Sequence, residues 1–193
     1  MTSSGRSQPD CQSIGTLMTI VAGRKRLYSA HDIWAGRLRT GRIMRFRMAT
    51  LDDLAAIVKL LADDPLGAER EEFRDPLPPE YVAAFHAIER QTGNCVIVVV
   101  DNKNIVHGCL QLTYTPGIAR KGMCRATIEG VRVSRAHRGS GLGAKLVAFA
   151  IEEARKANCG LVQLTTDRTR YDAHRFYEKL GFEPSHIGMK FKL

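Results

Sequence analysis

Arg138-Gly139-Ser140-Gly141-Leu142-Gly143 stands where an alternating, β-branched run ends and a long amphipathic helical pattern begins. Glycine at every second position lets the backbone curl through conformations closed to other residues, with its N–H groups exposed. The first turn of a helix adds further unpaired N–H groups and the positive end of the helix dipole, roughly half a charge. Arg138 adds a fixed cation. Chemically, this loop asks for a phosphate or pyrophosphate.

The periodicity on either side places this unit in a larger pattern. Ile43 to Met48 predicts a strand. Thr50 offers an N-cap with Asp53 three residues on, and Leu51, Leu54, Ile57, Val58 and Leu61 keep helical spacing until Asp64-Pro65. A loop with Glu69, Glu71, Glu72 and Asp75 runs to Pro79, and a second helix presents Tyr81, Ala84, Phe85 and Ile88. Cys95 to Val100 and Ile105 to Thr115 read as strands joined by the turn Asp101-Asn102-Lys103-Asn104. After the turn-rich stretch Pro116 to Gly122, Ala126 to Val133 is a further strand. The helix from Leu142 turns Leu146, Val147, Ala150, Ile151 and Ala154 inward and ends near Asn158 and Gly160. Leu161 to Thr165 is a strand, Asp172 to Leu180 a helix closed by Gly181, and the tail to Phe191 reads as extended. The order β-α-α-β-β-β-α-β-α-β is α+β, or mixed α/β, around one central sheet.

The 193 residues suffice for one domain with a full core. No stretch approaches the ~20 apolar residues that span a bilayer, and no membrane association is expected. The net charge of +9 suggests nucleic acid until it is located. Residues 1–43 hold seven Lys/Arg against only Asp10 and Asp32, and the remainder is unremarkable. Residues 1–41 carry no sustained helix or strand period beyond the short apolar run Leu17 to Ala22. We read them as a basic, disordered extension or an over-long start, and residues 42–193 as the domain. The run Arg24-Lys25-Arg26 reads as solvated charge, and a nucleic-acid-binding module is the alternative it leaves open. Five cysteines without a C-x-x-C pair fit reduced thiols in a soluble, cytoplasmic protein.

Three phosphate-binding loops compete for the hexapeptide. A Walker loop fails because Leu146, not Ser or Thr, follows Lys145. The dinucleotide fingerprint is met loosely by Gly139-x-Gly141-x-x-Ala144 with Asp167 beyond the next strand, which keeps a nucleotide-dependent oxidoreductase as an alternative. Ser134 to His137 separate the strand from the glycines, however, and the motif comes late in the chain.

The third option rests on a resemblance. Arg138-x-x-Gly141-x-Gly143 after the strand Ile128-Glu129-Gly130-Val131-Arg132-Val133, together with Phe176-Tyr177-Glu178-Lys179-Leu180-Gly181-Phe182, resembles the GNAT N-acetyltransferase superfamily. The resemblance covers residues 42–193 in element order and is strongest from 126 to 183. It implies a single domain whose central, mostly antiparallel sheet is split around the cofactor and flanked by about four helices. It further implies an N-acetyltransferase that takes acetyl-CoA as co-substrate and passes the acetyl group directly to a small-molecule or peptide amine. The backbone of Val131, Arg132 and Val133 would pair with the pantetheine arm. Arg138, Gly139, Ser140, Gly141, Leu142, Gly143 and Ala144 would cradle the pyrophosphate. Many members carry Asn seven residues before the motif tyrosine, where this chain has Arg170; it would contact a CoA phosphate instead. A homodimer is left open, and the substrate-facing parts would be residues 63–80 and the segment after the last helix.

The chemistry then names candidates. A lysine-like amine is neutral in only ~1 molecule in 2,500 at pH 7, a handicap of ~4.6 kcal/mol, so a positioned base has work to do. Glu129 is the candidate base, on a strand face expected to be shared with Val131 and Val133; the bland reading is a carboxylate capped by Arg132 or Arg125. Tyr177 is the candidate acid for the leaving thiolate, since its phenol titrates near ~10 and Phe176 and Leu180 already supply the helix's apolar stripe. A backbone N–H, at Val131, would serve the developing oxyanion. Cys109 and Cys124 read as small apolar strand residues, and His174 and His186 as turn or surface residues. No metal spacing is present, and none is expected.

Overall fold

The computed structural model of the protein describes residues 34–37, 42–63 and 65–193. The expectations for Leu17 to Ala22 and Arg24-Lys25-Arg26 lie outside the described residues. Six strands form one sheet in sequence order: β1 (Trp34–Arg37), β2 (Ile43–Met48), β3 (Asn94–Val100), β4 (Val106–Thr115), β5 (Arg125–Val133) and β6 (Leu161–Leu164). Neighbours are antiparallel except β5 and β6, which run parallel. The short strand β1 comes from the stretch read as an extension: four of its residues pair with β2, Trp34 opposite Phe46. Besides an irregular helical turn at Ala119–Gly122, the described residues form the helices α1 (Leu54–Ala62), α2 (Pro65–Ala68), α3 (Pro79–Arg90), α4 (Leu142–Lys156) and α5 (Tyr171–Lys179).

Both faces of the sheet are covered, so β3 reads as an uninterrupted apolar run and Ile97, Val98, Val99 and Val100 are all fully buried. On one face Phe46, Ile97, Leu110, Leu112, Ala126 and Ile128 pack against Leu142, Leu146, Val147, Phe149 and Ala150 of α4. On the other, Val98, Val100 and Cys109 meet Ile57 and Leu60 of α1, while Leu54 and Val58 enclose Phe85 of α3.

The start of α1 is set by charge as well as pattern. Thr50 donates its N–H to Asp53 Oδ2 (2.8 Å), and Arg47 grips the same carboxylate with both terminal nitrogens, at 2.6 and 2.9 Å. Burial opposes the Asp53 charge, but Arg47 and Thr50 outweigh it and hold the carboxyl below its usual range.

Four expectations need correction. Leu51 belongs to a 3-10 turn ahead of α1 and is exposed, while Leu60 takes the buried place. On α3 it is Val82, not Ala84, that packs beside Phe85. The acidic loop opens with the short helix α2. The tail after Gly181 forms no strand, and Ile187, Met189 and Phe191 are exposed; their alternation is strand-like, but their backbone does not pair with the free edge of β6.

Candidate active site

Strand β5 changes character at Gly130. Gln111 of β4 lies opposite Glu129 and Cys109 opposite Arg132, so two residues of β5 oppose Leu110 alone. Gly130 takes the extra length as a bulge, at φ +59°, with Leu61 of α1 near the position a Cβ would occupy. A bulge reverses the facing of all residues beyond it. Val131 and Val133 therefore pack with Ala126 and Ile128 on the α4 side, whereas Glu129 and Arg132, paired with Gln111 and Cys109, belong to the α1 side. The expectation that Glu129 shares a face with Val131 and Val133 is overturned. Glu129 is exposed, and among the described residues no hydrogen bond or ion pair holds its carboxylate. Arg132, offered as its cap, instead donates from Nη1 to its neighbour's carbonyl, Val131 O (3.0 Å).

Strand β6 pairs with β5 only from Arg125 to Ile128. Beyond Ile128 the two strands part, and on that side residues 129–133 face no strand among those described. The split opens toward the glycine loop. A 3-10 turn (Arg135–His137) leads into it, with the Ser134 hydroxyl 3.1 Å from His137 Nδ1 and the Ser140 hydroxyl donating to His137 O at 2.6 Å. Gly139 (φ +74°) and Gly141 (φ +85°) hold left-handed backbone, and Gly141 caps α4. A Cβ built on either meets nothing within 4 Å: it would project into open space over the loop. Gly143, by contrast, faces inward, its Cβ position 3.4 Å from Phe176 of α5 and 3.6 Å from Val133. The two sequence motifs, 138–144 and 176–182, thus touch.

Arg138 donates from Nε to Val133 O (3.3 Å) and from Nη2 to Asp63 O (2.9 Å), with Asp63 Oδ2 3.3 Å away. Arg135 Nε lies 2.7 Å from Asp63 Oδ1. Sequence reasoning missed this junction, because nothing local ties Asp63 to residues 72 and 75 positions later. The Ser134/His137/Ser140 bracket was missed too, although a serine three residues before His137 and another three after it is a turn-like spacing.

Tyr177 is half-buried, its ring edge-on to Phe176 (5.0 Å) and Phe182 (5.8 Å). Burial pushes its phenol up from the ordinary value, with Arg170 and then Arg132 pulling back. Three of the expected site residues are thereby close enough to feel one another's charge. Arg170 itself is exposed, just ahead of α5. His174 is turned to Asp167 O (2.9 Å) and His186 to Ser185 Oγ (2.8 Å).

Loops from three parts of the chain approach one another here. Asp167 is held low first by the N–H and hydroxyl of Thr169, and then by the charges of Arg70 and Lys190. In the acidic loop Glu71 accepts from the Tyr81 hydroxyl (2.9 Å) and Glu72 pairs with Arg74 (2.6 Å). Glu69 and Asp75 have no such partner among the described residues.

Cysteine is not placed for chemistry on an acyl group. Burial pushes the Cys109 thiol up to about 12. Cys124 is not a strand residue as expected: it precedes β5, half-buried, with Cys159 Sγ 3.4 Å from its sulfur. Among the described residues no cluster of three His, Cys, Asp or Glu could hold a metal, and no helix is long and apolar enough to cross a membrane.

Residues 56–182 match the model of the acetyltransferase (GNAT) family. An acetyltransferase of Agrobacterium fabrum is 32% identical over 126 residues, 65% of this chain and 84% of that protein. The aminoalkylphosphonate N-acetyltransferase of Salmonella typhimurium is 49% identical over 50 residues, which is 26% of this chain and only 32% of that enzyme. A solved structure from Bacillus halodurans, named as a transcriptional regulator, superposes with a TM-score of 0.75 at 48% identity, over 78% of this chain and 99% of that one. The alternatives are not favoured. A dinucleotide-binding oxidoreductase needs a parallel sheet, and among the described strands only β5 and β6 run parallel.

Proposed function

Since this chain belongs to the acetyltransferase (GNAT) family and is an enzyme of acetyl transfer, we propose that it moves the acetyl group of acetyl-CoA directly onto a primary amine held beside it. The observation that carries the reading is the stretch Glu129–Val133, left without a strand neighbour on one side, between a left-handed glycine loop and a half-buried tyrosine.

The residues suit acetyl-CoA. Open space over Gly139 and Gly141 admits a diphosphate against the N–H groups of the loop and of the first turn of α4, with Arg138 as counter-charge and Leu142 and Ala144 carrying the first turn. Backbone groups of Val131, Arg132 and Val133 can take the pantetheine arm as an added strand, and Arg170 can reach a phosphate or the arm itself. When bound, the cofactor supplies an activated acetyl thioester.

The chain's own groups do the rest. The Val131 N–H, at the bulge, is the donor for the carbonyl oxygen as it gains charge. Tyr177, kept protonated by burial, gives its proton to the departing thiolate. Glu129 takes the proton from the amine; its exposure and its place on the α1 face favour a relay through water over direct contact. The acceptor enters from the acidic loop, where Glu69 and Asp75 are unpaired acids suited to a cationic amine.

An acceptor screen following release of the CoA thiol tests this. The panel is a polyamine, an aminoglycoside, a lysine peptide, a free peptide N-terminus and an aminoalkylphosphonate, the last because the Salmonella relative is named for it. Thiol release that depends on an amine is expected with at least one, together with a thermal shift on adding acetyl-CoA. A ligand at 100 times its Kd adds about 2.7 kcal/mol. No shift with acetyl-CoA and no release with any amine would sink the proposal.

A further inference from the structure

We propose that Asp63 is an internal competitor for the cofactor: its carboxylate occupies Arg135 and Arg138 in the free protein and is exchanged for the diphosphate on binding, which releases the acceptor-facing segment that begins at Asp63. This rests on the reading of residues 138–144 as the diphosphate cradle. Asp63 follows α1, and its two carboxylate oxygens lie on Arg135 Nε (2.7 Å) and Arg138 Nη2 (3.3 Å). Both guanidinium groups border the loop. They are exposed, at 74% and 49%, while Asp63 is at 29%. Ion pairs that face solvent are weak and exchangeable. A diphosphate offers the same acceptor chemistry with more charge and more oxygens, to which guanidinium is well matched, so the exchange runs toward the ligand.

The backbone contact sets the direction of coupling. Arg138 also donates to the carbonyl of Asp63 (2.9 Å), so the end of α1 is tied to Arg135 and Arg138 by two ion pairs and one bond to a backbone carbonyl. Turning Arg138 toward a diphosphate weakens both of its own contacts. The next part of the chain holds α2 and then Glu69 and Arg70, the latter close enough to Asp167 to act on its charge. Cofactor occupancy is thereby linked to the freedom of the wall where the amine must enter.

The test is CoA affinity by calorimetry at low salt for the wild type and for Asp63→Asn, which keeps the backbone carbonyl and removes the charge. CoA should bind Asp63→Asn about three- to tenfold more tightly, the gap closing as salt is raised. In an Arg138→Gln background the gain from Asp63→Asn should largely vanish. Hydrogen exchange over 63–72 should speed up in the wild type when CoA is added. Equal or weaker binding by Asp63→Asn would overturn the proposal, since it would make Asp63 a positioning residue for the arginines. Unchanged or slower exchange would overturn the coupling. A wild type that binds no CoA would instead overturn the reading of the cradle itself.

Discussion

Tyr177, the proposed acid, is also a packed side chain. Its ring is wedged edge-on between Phe176 and Phe182, and the same burial that fixes the ring keeps the phenol protonated past its ordinary range, against the pull of Arg170 and Arg132. Tyr177→Phe keeps the packing and deletes the proton. Turnover should fall about 100-fold with acetyl-CoA affinity nearly unchanged, as single-turnover rates and calorimetry would show; unaltered turnover would remove Tyr177 from the chemistry. The place of Tyr177 on the last helix was legible because a motif carries it. The setting of Glu129 was not, because alternation is a rule for unbroken strands and the bulge at Gly130 breaks it. The glycine inside the strand was itself the available sign.

The loop and the helix it starts answer differently to the same substitution at two of their glycines. Gly141 is left-handed with open space around its Cβ position, so alanine there is strained and not crowded. Gly141→Ala should cost about 1–2 kcal/mol and weaken CoA binding, read as a lower melting temperature and a higher Kd. Gly143 lies inside α4 with Phe176 at contact distance, where alanine gains helix propensity at little steric cost; Gly143→Ala should leave stability within about 1 kcal/mol. If both variants melt alike, the division of labour between the glycines is wrong. At this scale the sequence was most readable where period and turn chemistry agree, as in β3, the Asp101 turn and α4. It misled at the tail, whose residues Ile187, Met189 and Phe191 alternate correctly yet pair with no strand, although β6 keeps a free edge. It was blind to Asp63, whose partners lie 72 and 75 residues away.

Two buried polar groups set how the whole molecule responds to acid. His137 is buried beside His107 (rings 4.4 Å apart), and burial first, then the charges of His107 and Arg42, lower its pKa against the weaker pull of Asp101. The unfolded chain therefore takes up a proton near pH 6.5 that the folded one resists. Stability is complete above that pH and declines as pH falls through the lowered value. Asp53, depressed by Arg47 and Thr50, adds a second loss below about pH 4. Melting temperatures from pH 8 to 5 should drop in the wild type and drop less in His137→Gln. Parallel curves would show that His137 plays no part. Because that histidine's carbonyl also holds Ser140, the first loss should be felt at the glycine loop.

The meeting of Gly143 with Phe176 has a consequence for the order of assembly during synthesis. The proposed cradle begins at Arg138, but its Gly143 packs on a helix encoded more than thirty residues later. A chain still being made can curl its glycines, yet the Phe176 ring that packs against Gly143 has not been translated. Ligand competence should therefore arrive late and all at once, when α5 clears the ribosome and docks.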